Sequence, residues 1–124
     1  MKDKRPVNLD IGSMRLPITA WASITHRASG VFLFVAMVFL LWALDMSLSS
    51  AEGFAQLQDT LSGPLAKLVL WAISAGLIYH ALAGVKHIVM DFGIGESFEG
   101  GVLGARIVIV LAVVLTILAG ALIW

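Results

Sequence analysis

Leu68–Val85 reads LVLWAISAGLIYHALAGV, a run of 18 residues without Asp, Glu, Lys or Arg. Two further runs share that property: Ala28–Leu44, of 17 residues, and Ile107–Trp124, of 18. Each makes about 26 Å of helix, and a turn of flanking chain brings it to the ~20 residues that cross a bilayer core. A core helix of a soluble protein is rarely apolar on every face. The runs therefore predict an all-α membrane protein with three transmembrane helices, at about 22–46, 65–91 and 102–124. Residues 1–124 are expected to form a single membrane-anchor domain.

Composition supports this reading. Of 124 residues, 60% are hydrophobic and 13% charged, and the mean hydropathy is +0.98, whereas a soluble domain carries about 25% charged residues. Eight basic and eight acidic residues balance, so no nucleic-acid footprint is present. With no cysteine, disulfides, iron–sulfur ligation and thiol catalysis are excluded. A signal peptide is disfavoured, because some twenty mixed residues separate Lys2, Lys4 and Arg5 from the first apolar run.

Orientation follows from the basic residues. Lys2, Lys4, Arg5, Arg15 and Arg27 precede or open the first span, and Lys86 and Arg106 flank the second connection. Only Lys67 lies by the first connection, near Asp45, Glu52 and Asp59. The N-terminus is therefore expected in the cytoplasm, and the C-terminus on the opposite side. Ser47–Pro64 and GIGESFEGG (Gly93–Gly101) read as loops. Trp21, Trp42, Trp71 and Trp124 read as interfacial belt residues.

Ionisable side chains at membrane depth are functional candidates because burying them is costly. His80 falls near the middle of its span, and His87 follows two turns later on nearly the same face. Gly76 and Gly84 flank His80 at four-residue spacing. An imidazole on a face cleared of side chains suits a flat iron macrocycle, and equally suits close helix packing. A haem there needs a second axial ligand. His26 is expected two or three turns too shallow, and His87 cannot reach around the ring, so the ligand would come from another chain. Ser23, His26, Arg27 and Gly30 share one face of the first helix. They suit either a quinone head group or an ordinary interfacial anchor.

These residues carry a resemblance. Arg5-Pro6-Val7, Ile11, Arg15-Leu16-Pro17-Ile18 and Ser23-Ile24-Thr25-His26-Arg27-Ala28-Ser29-Gly30 resemble the N-terminal signature of the cytochrome b subunit of succinate dehydrogenase. His80-Ala81-Leu82-Ala83-Gly84-Val85-Lys86-His87-Ile88-Val89-Met90-Asp91-Phe92-Gly93 is similar to that family's second signature. At Lys86 the family usually carries arginine; charge survives the exchange, a bidentate grip does not.

The resemblance implies a non-catalytic membrane subunit of complex II, working with a flavoprotein, an iron–sulfur subunit and a second hydrophobic anchor. It implies haem b, with His80 as axial iron ligand and the other ligand from the partner anchor. It also implies ubiquinone as substrate, with Ser23 and Arg27 at the quinone and His26 and His87 near the haem propionates and proton path. The rival readings are the anchor of a fumarate reductase and a haem-free structural membrane subunit. Met1 runs almost directly into the first signature without an Arg- and Ser-rich presequence, which points to a bacterial inner membrane.

Overall fold

The computed structural model describes residues 10–124; the motif Arg5-Pro6-Val7 and the basic residues Lys2 and Lys4 lie outside that range. A short 3-10 turn, Ile11–Ser13, leads into four helices: α1 (Ile18–Ser49), α2 (Ala51–Leu61), α3 (Pro64–Asp91) and α4 (Phe98–Ile123). Among the described residues there is no strand. The helices α1, α3 and α4 are each long and apolar enough to cross a membrane. They carry their apolar side chains outward, Phe34 and Val38 being 74% exposed and Leu122 89%. That is the surface of a protein whose solvent is lipid.

The helix starting at Ile18 begins earlier than its apolar run suggests. Pro17 sits just before it in extended backbone, where the missing N–H costs nothing and the helix can propagate without interruption. Pro64 opens α3 at its first position, as expected of a residue with φ already set for helix.

The segment read as a loop, Ser47–Pro64, is mostly the helix α2. Ser50 in extended backbone caps it, its hydroxyl accepting from Gly53 N–H at 2.9 Å. Glu52 lies in the first turn, and Phe54, Leu57 and Leu61 follow at helical spacing. Leu57 is buried while most of its neighbours are exposed. Polar, Gly-bearing composition hid a helix whose cap and period were both present. Gly53 makes the corner between α1 and α2 possible, because a Cβ there would stand 2.7 Å from the Met46 carbonyl oxygen.

The second connection is a turn shorter than the expected Gly93–Gly101, because α4 begins at Phe98 and the last four residues of that stretch are helical. The amide of Gly93 donates to Met90 O and that of Ile94 to Val89 O, the paired bonds of a Schellman ending. Gly93 adopts φ +83°, a conformation that costs an L side chain energy. Ser97 then caps α4 by accepting from Gly100 N–H at 3.1 Å.

The three long helices run up, down and up. Thr19 of α1 meets Gly101 of α4, and Lys86 of α3 lies along Gly104 of α4. The start of α1, the end of α3 and the start of α4 thus share one end of the bundle, which holds Arg15, Lys86 and Arg106. At the other end Lys67 lies over the Trp124 ring, 5.5 Å from its centroid.

Trp71 departs from the belt reading. Its indole N–H donates to Thr116 O at 2.7 Å, and a Cβ on Gly120 would stand 2.8 Å from the indole. The residue is therefore a pin between α3 and α4, whereas Trp21, Trp42 and Trp124 are exposed. Trp71→Phe should remove about 0.6 kcal/mol of hydrogen bonding, and more if Thr116 O finds no other donor. A thermal melt of the detergent-solubilised protein unchanged by this substitution would contradict the pin.

Candidate functional site

The site is the seam between the first half of α1 and the second half of α3. Glycine sets its width: a Cβ on Gly30 would lie 3.1 Å from His80 Cε1, so the His80 ring rests against the α1 backbone. His26, one turn earlier on α1, stacks on that ring with centroids 4.4 Å apart and planes 17° apart. His87 tilts against the other end, 5.3 Å from His26. The three histidines of the chain form one column.

This corrects the depth assigned to His26. Since α1 begins at Ile18, His26 lies about 12 Å along the helix, two turns in. Antiparallel packing brings it level with His80 instead of two or three turns above it. The two imidazoles nevertheless lie face to face. An axial pair must aim its nitrogens at each other across a metal, and stacked rings cannot. Among the described residues, no group of three or more His, Cys, Asp or Glu could hold a metal ion.

Hydrogen bonds fix the His80 ring. Ser29 Oγ donates to His26 O at 2.7 Å and stands 2.9 Å from His80 Nδ1. The same Nδ1 lies 3.2 Å from His26 O. Nδ1 is thus held from α1 on two oxygens, while Nε2 of His80 makes no hydrogen bond to the described residues. His26 has the complementary condition: its Nε2 is buried and unpartnered. A buried polar atom left unpaired costs roughly 1–3 kcal/mol, so the seam wants a polar group that these residues do not supply.

The glycines flanking His80 on α3 are not open to a ligand along their whole length. Phe32 of α1 fills the space at Gly76, where a Cβ would stand 2.9 Å from its ring. Gly84 faces His26 Nε2, 3.8 Å from an added Cβ. Both serve the approach of α1 to α3, the packing use of small residues in membranes.

The four residues predicted to share the α1 face separate. Gly30 and His26 turn to α3. Ser23 lines a crevice of about 130 Å³ between the three long helices, with Thr19, Lys86 and His87. Arg27 is exposed and makes no ion pair or hydrogen bond with the described residues. Lys86 lays its stem across Gly104 of α4, a Cβ there lying 3.2 Å from Lys86 Cε.

Sequence reasoning passed over Ser29, Thr25 and Tyr79. Thr25 Oγ1 hydrogen-bonds Tyr79 OH, and the Tyr79 hydroxyl reaches Ala22 O at 3.0 Å, tying α1 to α3 on the far side of the seam. A lone tyrosine in an apolar span was the available signal, since a phenol in lipid requires a partner. Ser29 gave no comparable signal, because serines commonly satisfy themselves on the preceding turn of their own helix.

Comparison with known proteins agrees with this architecture. Residues 1–119 match the family described as succinate dehydrogenase/fumarate reductase transmembrane subunit. The succinate dehydrogenase cytochrome b556 subunit of Coxiella burnetii is 38% identical, with both chains covered in full. The subunits of the same name from Rickettsia felis and Paracoccus denitrificans are 31% and 30% identical, each alignment covering 94% of this chain and 90% of the relative. Three membrane-spanning helices packed through small residues, and full-length likeness to these anchors, place the chain in the succinate dehydrogenase/fumarate reductase transmembrane subunit family, as a multi-pass, non-catalytic membrane anchor of complex II.

Proposed function

We propose that this anchor binds haem b through His80 and helps to form the ubiquinone site of succinate:ubiquinone oxidoreductase. The supporting observation is the pairing state of the histidines: Nδ1 of His80 is engaged, its Nε2 has no hydrogen bond among the described residues, and His26 Nε2 is an unpartnered buried atom beside it. An imidazole held at one nitrogen and open at the other is a ligand in waiting. His26 Nε2 and His87 suit the carboxylates of haem propionates, and the cytochrome b556 name of the relatives agrees with the assignment. Bound haem would supply a one-electron reservoir between the iron–sulfur subunit and quinone. A second ligand to the iron would have to come from another chain, such as a second hydrophobic anchor subunit, because the stacked His26 ring is not turned to provide it.

Ser23 and Arg27 act on quinone. The Ser23 hydroxyl donates to one carbonyl oxygen, and the Arg27 guanidinium binds the oxygen on which negative charge develops. Exposed on α1 and without an ion pair among the described residues, Arg27 can turn toward a head group arriving from lipid or from the partner anchor. The end of the bundle bearing Arg15, Lys86 and Arg106 faces the cytoplasm of a bacterium, where the flavoprotein and iron–sulfur subunits dock.

The test separates quinone chemistry from succinate oxidation. In the purified complex, Arg27→Leu should lower succinate:quinone activity about 10- to 100-fold, the worth of a charged hydrogen bond. Succinate-driven reduction of an artificial dye should persist. Equal loss of both activities would remove Arg27 from the quinone site. A dithionite-reduced minus oxidised spectrum of the wild-type complex without a b-type band would remove the haem.

A further inference from the structure

We infer that Ser29 is a positioning residue for the iron ligand: with the His26 carbonyl it holds His80 in the tautomer that carries its proton on Nδ1, and so leaves the Nε2 lone pair for iron. This rests on the assignment of His80 as the axial ligand.

The argument is one of hydrogen-bond directions. A carbonyl oxygen can only accept, and a hydroxyl has one proton to give. Ser29 spends that proton on His26 O at 2.7 Å, its own preceding turn. What its oxygen offers His80 Nδ1, 2.9 Å away, is therefore a lone pair. The second oxygen near Nδ1, His26 O at 3.2 Å, is also an acceptor. A neutral imidazole can meet two acceptors at one nitrogen only by carrying its proton there. Nδ1 is then the donor and Nε2 the base.

The arrangement also sets the ring's orientation. Ser29 and His26 O both belong to α1, whereas the ligand belongs to α3, so the imidazole is clamped across the helix interface. Gly30 completes the clamp by leaving the ring room to lie against the α1 backbone. Donation from Nδ1–H makes the opposite nitrogen more basic. A more basic ligand favours ferric over ferrous iron and lowers the haem potential.

The experiment uses the purified complex in wild-type form and as Ser29→Ala, Ser29→Thr and His80→Ala. Alanine is at least as good a helix former as serine, so the fold should persist in Ser29→Ala. The readouts are haem content per complex, the low-field signal of ferric haem in electron paramagnetic resonance, and a redox titration at the b-type band. Ser29→Ala should retain haem, and its ferric–ferrous equilibrium should move three- to tenfold toward the reduced form. At 59 mV per tenfold for one electron, that is a rise of about 30–60 mV. Ser29→Thr, which restores the hydroxyl, should return the potential and the signal toward wild type. An unaltered potential and signal in Ser29→Ala would overturn the positioning role while leaving His80 as ligand. Equal disturbance in Ser29→Ala and Ser29→Thr would reduce Ser29 to a packing residue. Haem undisturbed in His80→Ala would overturn the ligand assignment itself, and this inference with it.

Discussion

His80→Ala is expected to abolish or grossly alter the b-type spectrum of the complex, the largest single effect in this chain. On the proposed assignment the imidazole would hold the iron, and among the described residues no other side chain is placed to replace it. His26 stacks on the face of His80 in a nearly parallel plane, so its nitrogens cannot point back at the His80 Nε2 across a metal. His87 lies two turns away on the same helix. Removing the ring also strips Ser29 Oγ and His26 O of the donor between them, but water entering the vacated space can satisfy both. Assembly of the anchor should therefore suffer less than haem binding. The comparison is made by measuring haem per complex alongside the yield of intact complex. A normal spectrum at normal yield would show that iron is held elsewhere.

Gly30→Leu is expected to be nearly as damaging, by a different route. Even one carbon at this position would stand 3.1 Å from His80 Cε1, and leucine adds three more in the same direction. Either the His80 ring moves off its hydrogen bonds or α1 moves away from α3. Overpacking of this kind costs about 1–3 kcal/mol in a close-packed interior, and here it falls on the ring that Ser29 holds. Haem content should fall steeply and the complex should melt earlier in detergent. Gly30→Ala should be milder, since a few tenths of an ångström of relaxation relieves its contact. Gly84→Ala is the control: its added carbon would lie 3.8 Å from His26 Nε2, an ordinary contact. Full haem occupancy in Gly30→Leu, or equal harm from Gly84→Ala, would refute this account of the seam.

Much of the molecule is legible in its sequence. Three uncharged runs dictate three spans because lipid offers no partner for a backbone polar group or a charge, and a helix alone satisfies its backbone internally. Helix α2 is masked by its polar, Gly-bearing composition, although the Ser50 cap and the Phe54, Leu57 and Leu61 spacing mark it. The place of Trp71 near a helix end suggests the membrane interface, yet its indole reaches Thr116 O on α4.

What the sequence determined by itself is local and one-dimensional: which segments are apolar enough to enter lipid, which end carries the positive charge, and that His80 lies within an apolar span. It also carried enough pattern in two signatures to point to the family. The tertiary structure alone decided the depth of His26, because that depends on the register of α1 against α3 and not on distance from the apolar run. It alone separated Arg27 from His26 and turned Gly76 from an open face into a socket for Phe32. It alone joined Ser29 to His80 across 51 positions of chain. Helical periodicity states which face a residue shares. Only packing states what stands opposite that face, and in this protein the proposed chemistry of His80 depends on what α1 places there.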